Sequence, residues 1–197
     1  MKKLFTLLAI VSVILAFAPE KEVRFEIIFD DKKIGHVEVV ESQQGEHVVR
    51  DLKTVSDAHV FITIHVETEA KVTRNKAGLI VEGIGYRHAN RGSEDVHAHT
   101  QIITEDKYKV NRNGKSWVLD DHPIDYCVAD MYFKEPVGKS QVYSNMYGAN
   151  LKIASLGGGK YHVITPDDKD SYYTYQNGLL KQVVVSTPLG KVKTRRI

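Results

Sequence analysis

The chain after residue 21 is organised by a period of two. Val23, Phe25, Ile27 and Phe29 share one face of a strand, with Arg24 and Glu26 opposite. Residues 30–33, two aspartates and two lysines, read as a turn, and 34–41 as the returning strand. The longest alternation is Val60, Ile62, Ile64, Val66, Ala70 and Val72. Phe61, Thr63, His65, Glu67, Glu69 and Lys71 fall between them. A helix would scatter these apolar positions around its circumference. They predict instead an antiparallel strand with Val60, Ile62, Ile64 and Val66 inside and Thr63, His65 and Glu67 in water.

Turn signals recur at hairpin intervals. Asn113-Gly114 and Asn177-Gly178 are tight-hairpin sequences, because both central positions need positive φ. Residues 74–78, 91–93, 166–170 and 188–190 are further turns. About a dozen strands result, with no alternation of strand and long helix. One segment departs from the rhythm. Ile124, Cys127, Val128 and Met131 fall at i, i+3, i+4 and i+7, which predicts a short helix within 124–133, capped by Asp121 or Asp125. Gly83 and Gly85 lie on one face of the strand predicted over 79–88 and mark a bend or a close backbone approach. The expected fold is mainly β: a large curved antiparallel sheet forming an incomplete or flattened β-barrel with one short helix.

The first residues change the setting. Lys2 and Lys3 precede an apolar run over 4–17, and Ala16-Phe17-Ala18 has the small-x-small pattern of a cleavage site. The run is shorter than the ~20 residues of a membrane-spanning helix. Residues 1–18 therefore read as a signal peptide and 19–197 as a single β-rich domain, periplasmic or secreted, with no stable membrane span after cleavage. Pro19 disfavours a cut after Ala18 and leaves Ala16 as the alternative. Taking two lysines from the 27 bases leaves 25 against 25 acids. A neutral domain has no overall attraction to nucleic acid. Cys127 is the only cysteine, so no intramolecular disulfide forms and Cys127 reads as a buried, inert thiol.

Candidate chemistry is sparse. His88, His97 and His99 would approach one another if a hairpin near Gly92 set His88 opposite His97, but their polar neighbours favour an ordinary wet face over a metal site. Gly157, Gly158, Gly159 and Lys160 fail the phosphate-loop pattern, because Ala154 and Tyr161 stand where Gly and Ser or Thr are needed. Neither a G-x-S-x-G elbow nor H-E-x-x-H is present. The reading is of a protein without catalysis, metal or cofactor. The tyrosines at 143, 147, 161, 172, 173 and 175 read as strand formers or as an aromatic-lined mouth.

The succession of the 25–29 strand, the Ile34-Gly35 return, Pro123-Ile124, the 131–136 segment, the 161–165 strand and the 173–180 hairpin resembles a family of exported bacterial proteins of about this length with no assigned function. More remotely it is similar to incomplete β-barrels that carry lipids or lipoproteins across the periplasm. The resemblance implies a barrel-like fold and no catalytic residues. The expected function is binding of an apolar or amphipathic ligand, a lipid or other apolar small molecule. The candidate ligand-binding positions are Gly83, Gly85, Cys127, Met131, Phe133 and Tyr173. The alternative is a structural or interaction module of the cell envelope with a protein partner.

Overall fold

The structure is a computed structural model that describes residues 20–59, 63–92, 94–120, 122–167, 169–187 and 189–197. The expected signal peptide, Val60 and Ile62 lie outside these residues. Fourteen strands follow in sequence: β1 Lys21–Phe29, β2 Lys32–Gln44, β3 His47–His59, β4 Thr63–Arg74, β5 Ile80–Ala89, β6 Val96–Thr104 and β7 Lys107–Arg112. The second half adds β8 Lys115–Asp120, β9 Gln141–Ser144, β10 Ala149–Gly157, β11 Lys160–Ile164, β12 Asp170–Gln176, β13 Leu179–Thr187 and β14 Gly190–Arg196. All belong to one antiparallel sheet, ordered β8-β7-β6-β5-β4-β3-β2-β1-β14-β13-β12-β11-β10-β9.

Neighbours in sequence are neighbours in the sheet, with one exception. The first and last strands pair in the middle, Phe25 opposite Arg196 and Ile27 opposite Thr194. Residues 121–140 join the outermost strands, β8 and β9. In a flat sheet, thirteen gaps of about 4.8 Å would hold those edges roughly 60 Å apart. A straight, extended chain of twenty residues reaches about 66–72 Å. This connection instead contains a 3-10 helix, Val128–Tyr132, and residues 126–132 are mostly buried. The sheet must therefore curl until its edges approach. They do not pair with each other, so the roll is barrel-like but not closed. Cys127 forms an isolated parallel bridge to Tyr143 of β9, so the connection itself covers that edge.

The tight turns obey their local chemistry. Asp30 and Asp31 (φ 49° and 56°), Asn113 and Gly114 (49° and 80°), and Asn177 and Gly178 (53° and 74°) each place two successive residues at positive φ. Mirror-image turns of this kind match the right-handed twist of the strands they join. The core lies on the concave face. Val23, Phe25 and Ile27 are buried there with Val37, Val39, Leu180 and Val183. Phe25 meets Tyr132 of the connection edge-on, with ring centroids 5.3 Å apart.

Two expectations need correction. The helix over 124–133 is a five-residue 3-10 helix, because Cys127 is extended (φ −137°, ψ 173°) and residue 124 precedes it in irregular chain. Asp125 does not cap it; its carboxylate receives Lys139 Nζ at 2.7 Å. Ile64 and Val66 are only half-buried. Val66 pairs with Ala89, the last residue of β5, and Ile64 has only Ala58 of β3 beside it. The described ends of β3 and β4 near residues 57–65 thus run past the ladders of β2 and β5 and lose cover. In denaturant melts, Phe25→Ala should cost about 3–5 kcal/mol and Ile64→Ala only about 1 kcal/mol. Equal costs would mean that Ile64 is covered as well as Phe25.

Candidate functional site

The concave face of β3 to β6 is built from three cross-strand rows. Arg50, Val72, Gly83 and Thr100 form the first. Leu52, Ala70, Gly85 and Ala98 form the second, and Thr54, Thr68, Arg87 and Val96 the third. The middle row is small, so this part of the trough is deep. The turn between β9 and β10 fills part of it. A Cβ on Gly83 would lie 2.7 Å from Asn145 Nδ2, and one on Gly85 2.7 Å from the Asn145 carbonyl oxygen. On the other side of the same turn, a Cβ on Gly148 would lie 2.5 Å from Val110 Cγ1. Arg112 Nε donates to the Met146 carbonyl at 2.9 Å. Asn145 Nδ2 donates to the carbonyls of Lys71 (3.2 Å) and Ile84 (3.3 Å), bridging β4 and β5. Its Oδ1 is buried with no hydrogen-bond partner among the described residues.

The connection is fixed at the other end of the trough by charge. Arg50 and Arg74, on β3 and β4, both donate to Asp130, one to each carboxylate oxygen. Asp130 is 3% exposed and Arg74 7%. Asp130 Oδ2 also receives the Cys127 N–H at 2.6 Å, which sets the start of the 3-10 helix. Arg50 further donates to Glu41 (Nε, 2.8 Å), which also receives Lys21 Nζ at 3.0 Å. Partial burial alone would raise the Glu41 pKa, but these two cations outweigh it and hold the carboxyl below its ordinary value. Tyrosine hydroxyls pin the rest. Tyr175 donates to the Met131 carbonyl (2.7 Å), and Tyr108 receives the Ile124 N–H (3.0 Å). Tyr143, its pKa pushed up to about 12 mainly by burial, shares a hydrogen bond with Thr100 at 2.6 Å.

Between these fixtures lies a cavity of about 230 Å3. One wall is Leu52, Ala70 and Val72; the other is Leu151, Val163 and Tyr173. Val128, Ala129 and Tyr132 of the connection close it toward the core. Thr54, Thr68, Arg87, Ser144, Asn145, Tyr147, Thr165 and Ser171 supply its polar groups. The volume is below the ~300 Å3 of typical drug-sized sites and above the ~150 Å3 that holds a benzene ring. Burial raises the pKa of Tyr132 and Tyr147 and pushes Tyr173 up to about 12, so the phenols in the walls stay neutral.

Of the six candidate residues, only Tyr173 lines this cavity. Gly83 and Gly85 lie beneath Asn145, where they permit the close approach. Met131 is fully buried in the main core. Phe133 is half-buried beneath the Arg50 guanidinium, 5.2 Å from its ring centroid. Cys127 is buried with Arg74 Nη2 3.6 Å from its sulfur, and burial raises its pKa, so it is a neutral thiol. The histidines do not face one another as expected. Tyr86 is opposite His97 and Ile84 opposite His99. His88 contacts Asp95 (3.1 Å), and His99 contacts Glu82 (2.9 Å). Among the described residues no three His, Cys, Asp or Glu side chains converge as a metal site would require.

The family model described as "Domain of unknown function (DUF6134)" matches residues 25–197. The chain belongs to this family. A search of the curated proteins found no match. Among solved structures, this DUF6134 chain is similar to the beta-barrel-like protein of domain of unknown function DUF1849 from Brucella abortus. The TM-score is 0.57 at 8% identity, over 91% of this chain and 95% of that one. The likeness establishes the fold, a barrel-like roll in an uncharacterised β-rich family, as the sequence resemblance implied.

Arg50, Arg74, Arg87, Asp130 and Asn145 were not among the candidates. Thr68 and Arg74 fall in phase with the apolar face of β4, and Arg87 with Gly83 and Gly85 on β5. A charge in phase with a buried face was the available signal. Gly85→Ala should cost about 1–3 kcal/mol, because backbone atoms of Asn145 must move. The change should also shift the Asn145 and Met146 amide resonances. Unchanged stability and unchanged resonances would contradict the close approach.

Proposed function

We propose that the protein is a non-catalytic, carrier-like binder of a small apolar or amphipathic ligand, acting outside the cytoplasm. The cavity between the sheet and its connection carries this reading. Its walls are mostly aliphatic or aromatic, its one charged group among the described residues is Arg87 on the Thr54–Thr68–Arg87 row, and its phenols are neutral. Such a lining suits an apolar body with one polar end. It offers no nucleophile beside a base, as covalent catalysis requires. The lysine-led apolar segment over residues 2–17 supports export. No helix among the described residues is long and apolar enough to cross a membrane.

A second reading, an interaction module of the envelope, is favoured by β8. This edge strand has β7 as its one strand neighbour, and Val118 on it is 55% exposed. An unpaired edge is a template for strand addition by another protein.

The two readings separate on ligand content. Protein purified from its native compartment should release an apolar small molecule on solvent extraction and mass spectrometry. The extracted protein should bind a fluorescent fatty-acid probe with a negative heat-capacity change. Ala70→Phe, which fills the cavity, should abolish probe binding while the variant still melts cooperatively. No co-purifying molecule and no probe binding at tens of micromolar would leave the interaction module as the function.

A further inference from the structure

We propose that the ligand is a single-chain amphiphile with an anionic head, its short apolar chain in the cavity and its head on Arg87. This rests on the cavity reading above and adds the identity of the polar end. Arg87 is the one charged side chain among the described residues lining the cavity. It stands in the third cross-strand row, beside Thr68, while the oppositely placed first row carries Arg50, already committed to Asp130 and Glu41. Arg87 is half-buried, and among the described residues Nε alone of its guanidinium nitrogens has a partner, the Glu94 carbonyl at 3.1 Å. Its two terminal nitrogens make no hydrogen bond or ion pair among the described residues.

The charges around Arg87 are the test of this argument. Among the described residues the carboxylates to weigh are Glu94, which interacts electrostatically with Arg87, and Asp167, which acts with Arg87 on Tyr147. Glu94 is ion-paired with Arg112. Asp167 is ion-paired with Lys169 at 2.6 Å and also receives the hydroxyls of Thr165 (2.5 Å) and Tyr147 (2.8 Å). Each is therefore neutralised by its own cation, and Arg87 remains in excess. Its free fork of donors suits two oxygens of a carboxylate or phosphate. Thr54 and Thr68 in the same row can supply hydroxyls to the same head. The cavity is about half again the volume that holds benzene, which fits a short chain and excludes a two-chain lipid as a whole.

The probes are octanoate and octan-1-ol, which share a chain and differ in the head. Calorimetric titration of the protein at neutral pH should give octanoate an affinity at least about tenfold above octanol. Arg87→Gln should bring that ratio close to one by weakening octanoate binding, and Arg87→Lys should restore part of the preference. The melting temperature of each variant reports folding. If octanoate and octanol bind the unaltered protein equally, or if Arg87→Gln leaves the ratio as it was, the anionic-head assignment is wrong and the cavity reading survives. If neither compound nor the fatty-acid probe binds, both are wrong. The ratio in the unaltered protein decides the matter even if the glutamine variant fails to fold.

Discussion

The roll depends on one buried carboxylate held by two arginines. Asp130 sits in the connection between the outermost strands, and Arg50 and Arg74 reach it from β3 and β4. Burying charge is expensive, and the expense is met only when every charge is paired and further hydrogen bonds satisfy what remains. The cluster meets most of that condition, although Arg74 Nε is buried with no partner among the described residues. Arg50 is shared with Glu41, and Arg74 Nη1 also reaches the carbonyls of Gly78 (2.5 Å) and Asp125 (3.1 Å). Removing Asp130 would leave two arginines facing one another in a poorly solvated place. The arrangement therefore specifies position more than it adds stability. The connection has one seat on the sheet, with Cys127 at the start of its 3-10 helix and Tyr132 against Phe25.

Everything at the open side of the roll follows from that seat. The Tyr143 N–H donates to the Tyr126 carbonyl (3.1 Å), so the connection supplies β9 with the partner that β8 never provides. β9 is consequently almost wholly buried, whereas β8 is a solvent-facing edge. With β9 held there, its turn to β10 drops into the trough over Gly83 and Gly85. The cavity is the space this turn and the connection leave unfilled. The cavity is in this sense a by-product of holding the sheet's edges with side chains instead of a backbone ladder.

Local chemistry made much of this legible. The β1 alternation, the Asn-Gly hairpins and the paired glycines of β5 all express rules that act within a few residues. Strand neighbours at long range were not legible, because a period of two tells which face is buried and says nothing of which strand lies alongside. Nothing in residues 21–29 announces that they pair with 190–196. The helix expected within 124–133 is shorter and of the 3-10 type for a related reason. The apolar spacing of Ile124, Cys127, Val128 and Met131 is also what an irregular segment buried on several sides produces. Asp130, drawn to arginines 80 and 56 positions away, decided its conformation. The cavity escaped because its polar end is set by Arg87 and Thr68, two residues that belong together only through the β4–β5 register.

Native-state hydrogen exchange on the Asp130→Asn variant tests the central claim most directly. The amides to follow are Tyr143, bonded to Tyr126, and Gly148, bonded to the Ser144 carbonyl, against core amides of β1 and β13. If Asp130 seats the connection, the variant should expose the amides of the connection, β9 and the β9–β10 turn together, in one cooperative opening below the global one, while β1 and β13 keep their protection. Loss of protection confined to residues 127–131, with Tyr143 and Gly148 unchanged, would show that the roll stays closed without this ion cluster and would contradict the account.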